Sequence, residues 1–467
     1  MPQARRPHRA RRVRSVRLPP ELRHVHLHAA GIDVGAGGHY VAIPPGRDPE
    51  GRDVREFGAF TADLYTLAEW LRRCGIETVA MESTGVYWIP LFELLAERGF
   101  EVRLVDPRQL KNVPGRKSDV LDCQWIQQLH TFGLLAAAFR PEDQICVLRS
   151  YLRQRAMLVT YASHHIQHVQ KALEQMNVKL TRVVSDVTGV TGMRIIRAIL
   201  DGQRDPRALA GLRDRRCQHD EATIARSLEG SWRPEHLFAL RQAVELLDFY
   251  QQQLVVCDRE IEAYLGRFDA KPGSETLPAR PRTTKPSRTA PTFDVRTHLY
   301  RLTGVDLTRI DGIDAHTARK VVAETGLDMS RWPTEKHFAS WLSLAPGTKV
   351  SGGKQLSGRS TPSANRAAAA LRLAARSLYQ SKSALGAFFR RLKARLGTPK
   401  AITASAHKLA RLIYRMLRFG TEYVDQGQDY YEQRYRTRVV STLTRRAAAL
   451  GYTLVKTEGL SSAPSAI

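Results

Sequence analysis

The sequence is short of acid. Against 72 lysines and arginines stand only 46 aspartates and glutamates, leaving a formal charge of +26. That imbalance points away from a basic partner and toward a polyanion, with nucleic acid first. Cysteine is scarce too. The five present form no C-x-x-C pair, which argues against a disulfide framework or a zinc ribbon and fits a reducing compartment. No apolar run approaches the roughly 20 residues that cross a bilayer. No membrane partner is therefore expected, and the expected location is the bacterial cytoplasm, on the nucleoid when the protein acts. The opening "MPQARRPHRARRVRSVR" lacks the apolar core of a secretory signal. It reads as a disordered basic arm over residues 1–24.

What is present suggests several domains, since 467 residues exceed what one core usually serves. Residues 25–142 read as an α/β domain. "AAGIDVGAGGHYVAIP" and "VREFGAF" suggest three strands, and "ETVAMESTG" and "FEVRLVDP" two more. Helical spacing fills "DLYTLAEWLRRCG", "WIPLFELLAERG" and "SDVLDCQWIQQLHTFG", the last with Ser118 as a candidate N-cap.

Residues 143–268 change character. Ile145, Leu148, Leu152, Val159, Ala162, Ile166, Val169, Leu173, Met176 and Leu180 recur at steps of three and four, interrupted at Arg155. A second series from Leu237 through Leu254 to Phe268 is interrupted at Gln251 and Asp258. Heptads of this length predict coiled-coil helices, paired within one chain or between chains. Residues 269–292, rich in Pro, Ser and Thr, read as a linker. A mostly helical domain follows over 293–436, with a weakly patterned tail over 437–467.

Four acids draw attention because acids are the minority. Asp33 ends an apolar strand in "GIDVG", Glu82 ends another in "AMESTG", and Asp119 and Asp122 lie one helical turn apart. Singly, each has a structural explanation, such as a turn residue or a first-turn helix acid. As a set they can converge on a pair of divalent cations. Mg²⁺ favours carboxylate oxygens and bridges phosphate, and two ions about 4 Å apart stabilise both oxygens of a phosphodiester exchange. Arg108, Lys111, Arg116 and Lys117 beside them are candidate phosphate contacts. His164 and His168 share a metal-ligand spacing, but no third ligand accompanies them in sequence.

"GIDVG", "AMESTGVYW", "VDPRQLKNVPGRKSDVLDCQWI" and "WLSLAPGTKVSGGKQLSG" together resemble the IS110 family of transposases. The resemblance implies a multidomain α/β plus α fold: an RNase H-like (RuvC-type) domain, coiled-coil helices and a mostly helical C-terminal domain. It maps a DEDD metal set onto Asp33, Glu82, Asp119 and Asp122, with two Mg²⁺, or Mn²⁺ in their place. It also implies a serine nucleophile in the C-terminal domain, best matched by Ser351 of "KVSGGKQLSG", flanked by Lys349 and Lys354. Ser343, Ser357 and Ser360 are alternatives. Implied partners are double-stranded DNA at element ends and target, a noncoding guide RNA, and further copies of the chain as a dimer or tetramer. "LTRIDGIDAHTARKVVAETG" resembles a helix-hairpin-helix, two helices around a phosphate-holding turn, with Asp314 where its second glycine belongs.

The expected activity is therefore DNA cutting and rejoining through a phosphoserine link, the RuvC-type and serine-bearing domains forming the site jointly. The rivals are a junction endonuclease that uses water and a DNA-binding protein without catalysis.

Overall fold

The computed structural model describes residues 25–83, 85–110, 119–274, 276–277 and 289–455, without the side chains of residues 108 and 109. The basic arm, most of the linker and the end of the tail lie outside them. The chain divides into two compact units, residues 1–140 and 141–467.

The first unit holds β1 (Ala29–Val34), β2 (Gly38–Ala42), β3 (Val54–Gly58), α1 (Thr61–Arg73), β4 (Thr78–Glu82), α2 (Trp88–Glu97), β5 (Glu101–Val105), α3 (Pro107–Leu110) and α4 (Asp119–Thr131). The strands form one mixed sheet in the order β3-β2-β1-β4-β5. The first three run antiparallel, and β1, β4 and β5 run parallel. Side chains alternate across the sheet. Ile32, Val79, Met81 and Leu104 pack into one core with Leu67, Trp70 and Leu71 of α1 and Leu91 and Leu95 of α2. Ala80 and Val105 face the other way, onto Ile126 of α4.

Gly31 sits opposite Ala80 in the β1–β4 register and so shares the α4 face. A Cβ there would collide with the backbone nitrogen of Gln127 and the carbonyl oxygen of Cys123. Its absence lets the backbone of α4 rest directly on β1. At the far end of α4, Thr78 Oγ1 donates to the Glu101 carbonyl at 3.0 Å and lies 2.9 Å from His130 Nε2. Nε2 therefore carries the ring proton and donates it. Nδ1 is buried without a partner, and burial pushes the His130 pKa down to about 4.

The second unit begins with the two long helices, α5 (Asp143–Gln175) and α10 (Pro234–Leu265). They pair with each other inside the chain. Gln144 meets Tyr264, Arg155 meets Asp258, and His165 stacks on Tyr250. The partner numbers fall as the first numbers rise, so the pairing is antiparallel. The heptad series was expected to continue past residue 175. Asn177, at φ 59°, instead breaks the helix, and a small helical insert follows: α6 (Leu180–Val183), α7 (Val190–Leu200), α8 (Pro206–Ala210) and α9 (Glu221–Ser227).

The two sequence interruptions, Arg155 and Asp258, are partners. Arg155 Nε and Nη2 donate to the Asp258 carboxylate at 2.5 and 3.0 Å, and Thr292 N donates to it as well. Arg155 and Asp258 are 3% and 1% exposed, so the pair is dry enough that its geometry must offset a large desolvation cost.

The remaining elements are α11 (Val295–Thr303), α12 (Ala315–Thr325), α13 (Glu335–Trp341), β6 (Lys349–Ser351), β7 (Lys354–Ser357), α14 (Arg366–Ser377), α15 (Ala384–Leu396), α16 (Thr398–Phe419) and α17 (Gly427–Ala449). The last runs across residue 436. Arg319 of α12 is buried near Arg155. Burial, and then the Arg155 charge, pull its pKa down to about 10. Its Nε and Nη1 have no hydrogen-bond partner among the described residues. Its Nη2 lies 3.2 Å from His316 Nδ1, so Arg319 sits in the field of the Arg155–Asp258 pair without being paired to the carboxylate.

The segment resembling a helix-hairpin-helix departs from two flanking helices. Gly304, left-handed at φ 74°, ends α11, and only a 3₁₀ turn, Leu307–Arg309, precedes the hairpin. Gly312 has φ 84°, and a Cβ on it would lie 2.8 Å from the Ala374 carbonyl of α14. Asp314 caps α12 by accepting from Thr317 N at 2.7 Å. The amides expected to hold phosphate are therefore met in part by the chain's own carboxylate.

The charge count around Arg155 orders two substitutions. Asp258→Leu strands the buried Arg155 with the Arg319 charge nearby and is expected to cost about 3–5 kcal/mol in urea unfolding. Arg155→Met leaves Asp258 with Arg319 beside it and is expected to cost less. The reverse order would show that the Arg319 charge does not compensate an unpaired Asp258.

Candidate active site

Alternation along the strands sets the first part of the site. Asp33 is two residues beyond Gly31 and Glu82 two beyond Ala80, so both point to the face that α4 covers. Ile32 is in register with Met81, which makes Asp33 and Glu82 neighbours at the carboxyl ends of adjacent parallel strands. Asp119 and Asp122 occupy the first turn of α4. The contact at Gly31 brings that turn toward the strand ends.

Asp33 lies in the field of the other three acids. The Asp33 pKa is pushed up to about 6, first by burial and then by Glu82, Asp119 and Asp122 in turn. Cys123, behind them on α4, is pushed up to about 12 by burial and by Asp33. Tyr40, opposite Asp33 in β2, is raised by its hydrogen bond to Glu56, with a smaller push from Asp119. Among the described residues, no three His, Cys, Asp or Glu side chains are placed to hold one metal ion together. The donor set itself suits a hard cation, because it is all carboxylate and its like charges repel.

Of the basic residues singled out beside these acids, Lys111, Arg116 and Lys117 lie outside the described residues, as do Ser118 and the side chain of Arg108. The motifs pointed to acids and left two neighbours unremarked. Gly31 could have been noticed from the glycine inside an apolar strand, a sign of close backbone approach. Tyr40 carries no such sign.

Ser351 belongs to the second unit. It ends β6 and pairs with Lys354 at the start of β7. Gly352 and Gly353 make the two-residue turn between them, with φ 55° and 76°, a combination that favours glycine at both places. The hairpin is exposed, with Lys349 at one end and Ser351 and Lys354 at its tip. Ser357 is engaged, its Oγ accepting from Arg359 N at 3.2 Å. Ser343 takes a positive φ of 53° at the end of α13, and Ser360 is half-buried.

The chain matches two family models in order. Residues 30–178 match the DEDD-type IS110 transposase model, a span that contains β1, β4, α4 and all four acids. Residues 306–390 match the model of transposases of the IS116/IS110/IS902 family, a span that contains α12 and the Ser351 hairpin. No curated protein matches the chain. Joined in one polypeptide and covering about half of it, these two matches place the chain in the IS110 family of transposases.

Proposed function

We propose that this transposase cuts and rejoins DNA with a carboxylate metal site in an RNase H-like, RuvC-type domain and with Ser351 as nucleophile. The observation that carries the reading is geometric: Asp33 and Glu82 end adjoining parallel strands on the face that α4 covers, with Asp119 and Asp122 in the first turn of α4, and the raised Asp33 pKa accords with it. The charges of Glu82, Asp119 and Asp122 oppose ionisation of Asp33, and a bound cation would reverse that. Asp33, Glu82, Asp119 and Asp122 would hold the ion, Mg²⁺ or Mn²⁺, as one or a pair. When bound it would offset charge on the phosphate oxygens. The mixed sheet, with Asp33 and Glu82 at adjoining strand ends, supports the RuvC-type assignment.

Ser351 Oγ attacks phosphorus. The Oγ–P bond forms, the bond to one deoxyribose oxygen breaks, and the serine proton ends on that leaving oxygen. The phosphodiester energy stays in the phosphoserine link, so rejoining needs no nucleotide cofactor. Lys349 and Lys354 lie on the same ribbon and supply positive charge for a phosphate. The formal charge of +26 also fits double-stranded DNA at element ends and target and a guide RNA. The exposed apolar Met157 of α5 and Phe249 and Val256 of α10 support assembly with further copies.

Asp33→Asn, Glu82→Gln, Asp119→Asn and Asp122→Asn keep side-chain shape and remove charge. Each is expected to lower recombination of element-end DNA by roughly 100-fold or more while DNA binding stays near normal. Asp122→Asn with full activity would remove that residue from the set.

Stopping the reaction in denaturant should trap DNA joined to protein, with the link on the peptide containing Ser351. Ser351→Ala should bind DNA and yield no adduct. If Ser351→Ala still cuts and no adduct ever forms, water is the nucleophile. An adduct on Ser343 or Ser357 would keep the mechanism and move the nucleophile.

A further inference from the structure

Helix α16, which packs against α13, α14 and α15, presents one charged face to a groove. Between that face and the 344–360 segment lies a groove of about 1300 Å³. Its floor is apolar, from Leu344, Pro346, Phe388, Leu396 and Leu412. Its edge is cationic. Lys400, Lys408, Arg411 and Arg415 follow one another along α16, and Arg359 faces them. The α16 cations span about 22 Å at the helical rise. One acid lines the groove, Glu335, and Arg411 Nε already donates to it at 2.8 Å.

The other cations lack such partners. Among the described residues, no carboxylate lies within ion-pair distance of Lys400, Lys408 or Arg415. Lys408 is half-buried with its ammonium 4.8 Å from the Phe388 ring. Burial, and the charges of Arg411, Arg434 and Arg438, hold its pKa below the usual lysine value. Partial burial and the neighbouring arginines leave the Lys408 charge poorly compensated, which invites an anionic occupant.

The occupant must supply two things. Phosphates answer the cations, and flat apolar faces answer the floor. A duplex presents phosphates but keeps its base faces inside the stack, whereas an unpaired strand offers both. We propose that the α16 groove binds single-stranded DNA, its phosphates on Lys400, Lys408 and Arg415 and its bases against Phe388 and Leu412. The choice of DNA over RNA rests on the transposase reading, in which the strand cut at Ser351 is DNA. The wall at 357–360 continues directly from β7, so a strand held here runs to the base of the Ser351 hairpin.

The test uses the full chain. Lys400→Glu with Arg415→Glu is compared with Arg226→Glu with Arg259→Glu, an equal charge change at exposed sites off the groove. Binding of labelled oligothymidine, oligouridine and duplex DNA is followed by anisotropy across salt. The groove variant is expected to lose about tenfold or more in affinity for oligothymidine, with a log–log salt slope shallower by about 1 to 2. The control variant and the duplex should change much less. In the unaltered protein, a photoreactive thiothymidine strand should cross-link to peptides within residues 388–415. Equal losses in both variants, equal losses on the duplex, a preference for oligouridine, or cross-links only elsewhere would each overturn the proposal. The denaturant-trapped adduct separates the two readings. If the unaltered protein forms it while the groove variant binds oligothymidine normally, the groove fails and the catalytic reading stands. Cross-links in the groove with no adduct in any protein leave the groove and remove the nucleophile.

Discussion

The constraint on which the acidic site depends is an absence, the missing Cβ of Gly31. Helix α4 lies backbone to backbone on β1 at that point. Its first turn, with Asp119 and Asp122, is thereby carried toward Asp33 and Glu82. Gly31→Ala would have to push α4 away from the sheet, and the acids on α4 would move with it. The residue that assembles the site is thus not one of the residues that would do its chemistry.

In the second unit the organising feature is buried charge. Arg155 and Asp258 look like faults in two heptad series, and the structure makes them each other's partner. A coiled-coil seam of apolar side chains can slide by a heptad. A single buried ion pair at one level penalises every other register, because a slip leaves a charge alone. Arg319 of α12 brings a second buried guanidinium into the field of this pair, where the Arg155 charge lowers its pKa and the Asp258 charge opposes that.

How much of this was legible in sequence depends on how local the cause was. The sheet strands and the helices between them follow from period-two and period-3.6 patterns, and they appear where those patterns lie. That the long helices pair within the chain was not readable, because periodicity names a face and not its partner. Arg155 and Asp258 are 103 residues apart, and nothing local links them. The hairpin segment shows the reverse failure. Its glycine and its spacing suggest a phosphate clamp, yet Gly312 is required by the nearness of Ala374 and Asp314 is spent on a helix cap. The α16 cations were invisible for another reason: in a chain this basic, a run of lysines and arginines carries little information until the fold shows which of them border a cavity.

The central claim is that Asp33, Glu82, Asp119 and Asp122 act as one cation site. Binding of Mn²⁺ to the full chain, followed by electron paramagnetic resonance at neutral pH, tests it without relying on activity. The account expects saturable binding that each of the four charge-removing substitutions weakens by about tenfold or more, with Cys146→Ser, remote in sequence, leaving it unchanged. Binding that survives in Asp33→Asn or Glu82→Gln at full strength, or no saturable binding at all, would contradict it.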